Sequence, residues 1–140
     1  MAASRTLVVI EAGRAGDAAV DEACAHARRT RSAVTLVGVA PQAVAMHCVS
    51  SGEGLNDAIL EAVMADLARA RARLATSGVE VASRVLVDGC DPPLEEFAAT
   101  GGFDLILLPS RRPRWVHASH PSARRLSGRT SAEVRLVARP

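Results

Sequence analysis

Five short apolar runs alternate along this chain with segments of helical period, and that alternation restricts the fold more than any other feature. Thr6 to Ile10 is the first run, and it ends in Glu11-Ala12-Gly13-Arg14-Ala15-Gly16, the glycine and charge content of a turn. Asp17 then caps a helix whose small apolar residues Ala19, Val20, Ala23, Cys24 and Ala27 recur at three and four. Asp21 and Glu22 lie early in it and Arg28, Arg29 and Arg31 late, as the helix dipole favours. Val34 to Ala40 is the second run, stopped by Pro41. After a loop through Ser51-Gly52-Glu53-Gly54, Asn56 or Asp57 opens the longest helix, and Gly78 ends it. Its expected buried stripe is Ile59, Leu60, Val63, Met64, Leu67, Ala70 and Leu74.

Val79 to Val87 alternates apolar residues with Glu80 and Arg84, the pattern of a strand with one wetter face. Asp91-Pro92-Pro93 predicts a short helix with an acidic cap and a proline at its first position, turning Leu94, Phe97 and Ala98 inward. Phe103 to Leu108 is the fourth run, a helix over about Ser122 to Arg129 follows, and Val134 to Ala138 alternates as the last strand.

Strands separated by helices run parallel through right-handed crossovers, which predicts a three-layer α/β/α sandwich of Rossmann-like type. Strands one, two and four are apolar on both faces and belong in the middle of the sheet, whereas three and five alternate with charges and belong at its edges. The order 3-2-1-4-5 satisfies all five. Winding then reverses between strands one and four, and ligands of open α/β sheets bind at the carboxyl ends of the strands beside such a reversal. Two segments meet there, Glu11 to Gly16 and Pro109 to Arg114.

The 140 residues, 49% of them hydrophobic, are expected to form one domain over residues 1–140. No apolar run approaches the roughly 20 residues of a membrane span, and the first residues lack a signal-peptide core, so a cytoplasmic protein without a membrane partner is expected. Cys24, Cys48 and Cys90 are odd in number and form no Cys-x-x-Cys pair, which disfavours disulfides and a zinc ribbon. All 17 basic residues are arginine, and their distribution is uneven: eight arginines against Glu133 alone from Pro109 onward, nine against fourteen acids before it. The positive charge gathers where the fold predicts a crevice.

The first strand with Glu11-Ala12-Gly13, the turn Val87-Asp88-Gly89-Cys90-Asp91-Pro92, and Phe103-Asp104-Leu105-Ile106-Leu107-Leu108-Pro109-Ser110-Arg111 together resemble the universal stress protein family over nearly the whole chain. Gly89 and Asp91-Pro92 match the family's Gly-Asp-Pro turn with Cys90 inserted, and the fourth strand follows its Asp-Leu-Ile-Val-Met-Gly-Ser-Arg-Gly until the glycines. Members that bind ATP carry Gly-x2-Gly-x9-Gly-Ser or Thr after this strand, where bare amides cradle phosphates. Here those positions fall on Pro109, Arg112 and Ser122, so all three glycines are missing. Proline has no amide proton, and side chains at the other two obstruct close backbone approach. The family's aspartate after strand one is replaced by Glu11.

The resemblance therefore implies a small non-enzymatic stress-response or regulatory protein whose ATP-binding loop is degenerate, with ATP disfavoured as a cofactor. The alternative is a nucleotide- or anion-binding sensor in which guanidinium forks replace the glycine cradle. The candidate nucleotide or anion residues are Glu11, Gly13, Val39, Ser110, Arg111, Arg112, Arg114 and Ser122. A solvated basic face, with the serines as turn and cap residues, accounts for the same cluster without a ligand. The family also implies a homodimer joined through the last strand, and Val134, Leu136 and Ala138 mark that edge.

Other constellations are weaker. Gly13-Arg14-Ala15-Gly16 lacks the pattern of a dinucleotide or Walker loop. His117 and His120 with His47, Cys48 and Cys90 match no known metal spacing, so no metal is expected. No nucleophile elbow or placed pair of carboxylates points to catalysis, and nucleotide hydrolysis ranks a distant third. With only Trp115, Phe97 and Phe103 as aromatics, the latter two read as core, nucleic acid is not an expected partner; Trp115 serves equally well as a lid or a contact for an unidentified protein.

Overall fold

The apolar runs become the strands of one parallel sheet because each can bury both faces only between two layers of helices. The computed structural model describes residues 4–10, 17–40, 52–87, 91–109 and 126–137. Their elements are β1 (Arg5–Ile10), α1 (Asp17–Thr30), β2 (Ala33–Ala40), α2 (Gly52–Thr76), β3 (Val81–Val87), α3 (Leu94–Thr100), β4 (Leu105–Pro109) and β5 (Glu133–Val137). The strand order is β3-β2-β1-β4-β5, all neighbours parallel, as the apolar patterns predict.

Side chains of alternate parity enter two separate cores. Val8, Ile10, Val34, Leu36, Leu105 and Leu107 pack under α1 and α2, against Ala19, Val20, Ala23 and Ala27 from the first helix and Val63, Leu67, Ala70 and Leu74 from the second. Leu7, Val9, Val37, Val39, Leu86, Ile106 and Leu108 face the other way, against Leu94 and Ala98 of α3, Phe103 and Leu126. The sheet is thus covered on both faces. Helices α1 and α2 follow β1 and β2 on one face, and α3 and Leu126 follow β3 and β4 on the other, so winding reverses between β1 and β4.

Gly78 stops α2 as expected: its φ is +78°, and backbone N–H groups of Ser77 and Val79 return to the carbonyl of Leu74. Five expectations are corrected. Helix α2 begins at Gly52, a turn before Asn56 or Asp57, because a glycine costs only about 1 kcal/mol against the propagation of a long helix. Met64 leaves the expected stripe and is 55% exposed, since one step of 100° from Val63 carries it past the helix–sheet seam. The third strand starts at Val81, with buried Val79 in the approach, and β4 runs one residue past Leu108, starting at Leu105.

The fifth correction concerns Asp91. Helix α3 starts at Leu94 with Pro93 as its N-cap, φ −56° and ψ 152°, and no side chain caps it. A residue before proline is driven away from helical geometry, and both Asp91 and Pro92 are such residues. Of the helix expected over Ser122 to Arg129, residues 122–125 lie outside the described residues, and Leu126 and Ser127 are helical. Phe103 is core, whereas Phe97 is only partly buried.

Candidate functional site

The carboxyl ends of β1 and β4 lie side by side at the reversal, from the register Thr6 with Leu105, Leu7 with Ile106 and Val8 with Leu107. From those two ends the chain runs into residues 11–16 and 110–125. Of the candidate nucleotide or anion residues, Glu11, Gly13, Ser110, Arg111, Arg112, Arg114 and Ser122 lie outside the described residues, and so do Cys48, Cys90 and Trp115. Val39 is described. It is the penultimate residue of β2, opposite Leu86 of β3, and its side chain is buried in the core beneath α3. At this depth its side chain is part of the apolar core.

Pro109 is the other described residue of the rim. It closes β4 opposite Val137 of β5, so the first position of the expected phosphate loop is the last position of a strand. A proline, which brings no N–H to the ladder, is tolerated at a strand end because the ladder stops there. It brings no N–H to an anion either.

A third part of the rim escaped the sequence reading. Asp91 folds back on β3: its Oδ2 accepts the N–H of Val87 at 2.8 Å, and its own N–H donates to the Val87 carbonyl at 2.9 Å. Its other oxygen lies 3.7 Å from the Arg84 guanidinium, which itself sits 5.2 Å over the Phe97 ring. This clamp ties Val87 to Asp91 on either side of residues 88–90, and Asp91-Pro92 is the described part of the Gly-Asp-Pro match. The signal was present in the sequence as the two prolines after Asp91, which free its carboxylate from capping duty.

Cavities lined by described residues lie away from this end. One of about 350 Å³ is bordered by Arg28, Arg31, Ser32 and Glu80 at the opposite end of the sheet, and one of about 330 Å³ lies between α2 and β3. Among the described residues, no three histidines, cysteines or carboxylates come together in a metal-binding group, and no helix is long and apolar enough to cross a membrane. Cys24 is a free thiol, partly buried against the core under α1.

The arrangement defines a class: a doubly wound parallel sheet whose winding reverses between β1 and β4. Within that class the chain has the universal stress protein fold. It superposes on universal stress protein UspA from Lactobacillus plantarum with a TM-score of 0.76 at 19% identity, over 98% of this chain and 99% of that one. A universal stress protein family member from Burkholderia pseudomallei gives 0.71 at 24% identity, over 96% and 95%. The universal stress protein from Archaeoglobus fulgidus, solved in complex with dAMP, gives 0.67 at 18% identity, over 97% and 98%. No family model and no curated protein matches the sequence itself.

Proposed function

We propose that this chain is a non-enzymatic stress-response or regulatory protein of the universal stress protein type, cytoplasmic, with its phosphate-binding loop degenerate. The observation that carries the reading is Pro109 at the end of β4 in a sheet of this fold. Phosphate cradles in such crevices are made of backbone N–H groups, and this position has none. Arg112 and Ser122 at the two other glycine positions support the same reading.

Titration of the ligand-free protein with ATP and magnesium, by calorimetry and thermal shift, tests it. A nucleotide bound at about 100 times its Kd stabilises the folded state by about 2.7 kcal/mol, an effect easily read in a melting curve. The expected result is no shift at millimolar ATP and no phosphate release. A gain of binding is expected when Pro109→Gly, Arg112→Gly and Ser122→Gly are combined. Saturable, salt-sensitive binding by the unaltered chain would instead favour the second reading, an anion or nucleotide sensor, which rests on the eight arginines against one acid after residue 108.

We also propose a homodimer through β5. This strand ends the sheet, Leu136 is 54% exposed and Val134 is only partly buried; Ala138 lies outside the described residues. An apolar edge of this kind is covered in stable proteins. Leu136→Glu is expected to convert a dimer to a monomer in sedimentation velocity with little change in melting temperature; an unaltered dimer would overturn the assignment of the interface.

A further inference from the structure

Helices α1 and α2 both end at the amino margin of the sheet, and they end in the same way. The N–H of Ser32 donates to the Ala27 carbonyl at 3.2 Å, and the N–H of Val79 donates to the Leu74 carbonyl at 3.1 Å. In each case the residue just before the donor is left-handed, Arg31 with φ +55° and Gly78 with φ +78°. Glycine takes this conformation freely and arginine does not. Among the described residues Arg31 is the one residue other than glycine that adopts it, so an arginine is kept where glycine would fit better.

The two helix ends border the cavity of about 350 Å³. Arg28, one turn before Arg31, borders it as well, and Glu80 reaches it from the approach to β3. All three side chains are exposed and none makes an ion pair among the described residues. Two guanidinium groups and one carboxylate thus share the cavity without neutralising one another. Ser32, also on its wall, is buried, and its Oγ lies 3.3 Å from Thr6 Oγ1. A hydrogen bond between two hydroxyls uses one of their two protons, and the other has no acceptor among the described residues.

We propose that this cavity binds a small acidic α-amino acid. Such a ligand carries two carboxylates and one ammonium, the inverse of the two guanidinium groups and one carboxylate around it. Its carboxylates pair with Arg28 and Arg31 and accept the spare proton of the Ser32 and Thr6 hydroxyls. Its ammonium meets Glu80 and the negative ends of two helices. A plain anion satisfies the arginines but brings like charge to Glu80 and to both helix ends. The volume is at the small end of ligand pockets, which run from about 300 to 1,000 Å³.

Calorimetry of the full chain with L-glutamate, and with glutarate and inorganic phosphate beside it, tests the assignment. Saturable binding of glutamate with a Kd at or below about 1 mM is expected, with several-fold weaker binding of glutarate, which lacks the ammonium. Glu80→Gln is expected to erase that preference. Arg31→Gly removes a guanidinium and relieves the left-handed backbone together. It is expected to melt no lower than the unaltered chain while binding glutamate about tenfold more weakly or worse. No glutamate binding up to about 10 mM, equal affinity for glutarate or phosphate, or unchanged affinity in Arg31→Gly would overturn the proposal. None of these readouts depends on ATP.

Discussion

Leu107→Ala is expected to lower the unfolding free energy by about 3–5 kcal/mol and the melting temperature by roughly 10 °C. Leu107 is fully buried in β4, opposite Val8 of β1 and Arg135 of β5, and its side chain enters the core under α1 and α2. Truncation removes its apolar contacts and leaves a cavity between two rigid strands and a helix layer, where collapse is difficult. Urea denaturation measures the loss. The exposed Leu136→Ala serves as the comparison, and equal losses in the two would show that β4 is not the centre of the core.

The second large effect comes from adding atoms. Gly38 lies in β2 opposite Val85 and beneath α2, and a Cβ placed there would stand 2.5 Å from Val63 Cγ1 and 3.3 Å from Leu67 Cδ1. Glycine at this point is what allows the helix to settle onto the sheet. Gly38→Val is expected to cost about 2–3 kcal/mol as α2 is pushed outward. Val63→Ala in the same chain should return a substantial part of that loss, although each substitution alone destabilises. A double-mutant cycle with no coupling between positions 38 and 63 would refute the close approach.

The contrast between these positions explains what could be read from the sequence. Strand order was legible because β1, β2 and β4 carry unbroken apolar runs while β3 interposes Ser83 and Arg84, and β5 Glu133 and Arg135; the number of buried faces is written in the residues. Met64 was misjudged because periodicity marks a helix stripe without marking how wide the seam against the sheet is. Asp91 was misjudged because a carboxylate before two prolines satisfies a cap pattern and a turn equally well until the backbone restriction is counted. The site was legible as a location, since topology dictates it. Its chemistry was not, because seven of the eight candidate residues fall in the two segments that leave β1 and β4, whose sequence carries no apolar period and which lie outside the described residues; Val39, the one described, belongs to β2.

One knot of hydrogen bonds has a mechanical meaning for the sheet. At the amino ends of the strands, Asp104 takes the Arg5 N–H on its carboxylate at 2.8 Å and donates its own N–H to the Arg5 carbonyl. Its carbonyl receives the N–H of Glu133, so a single residue ties β1, β4 and β5 together. At the carboxyl ends β4 finishes in a proline with no N–H to give. The sheet is therefore moored along its amino margin by a single residue, like a book bound at the spine, while among the described residues the carboxyl margin has its own tie in the Asp91 clamp on β3.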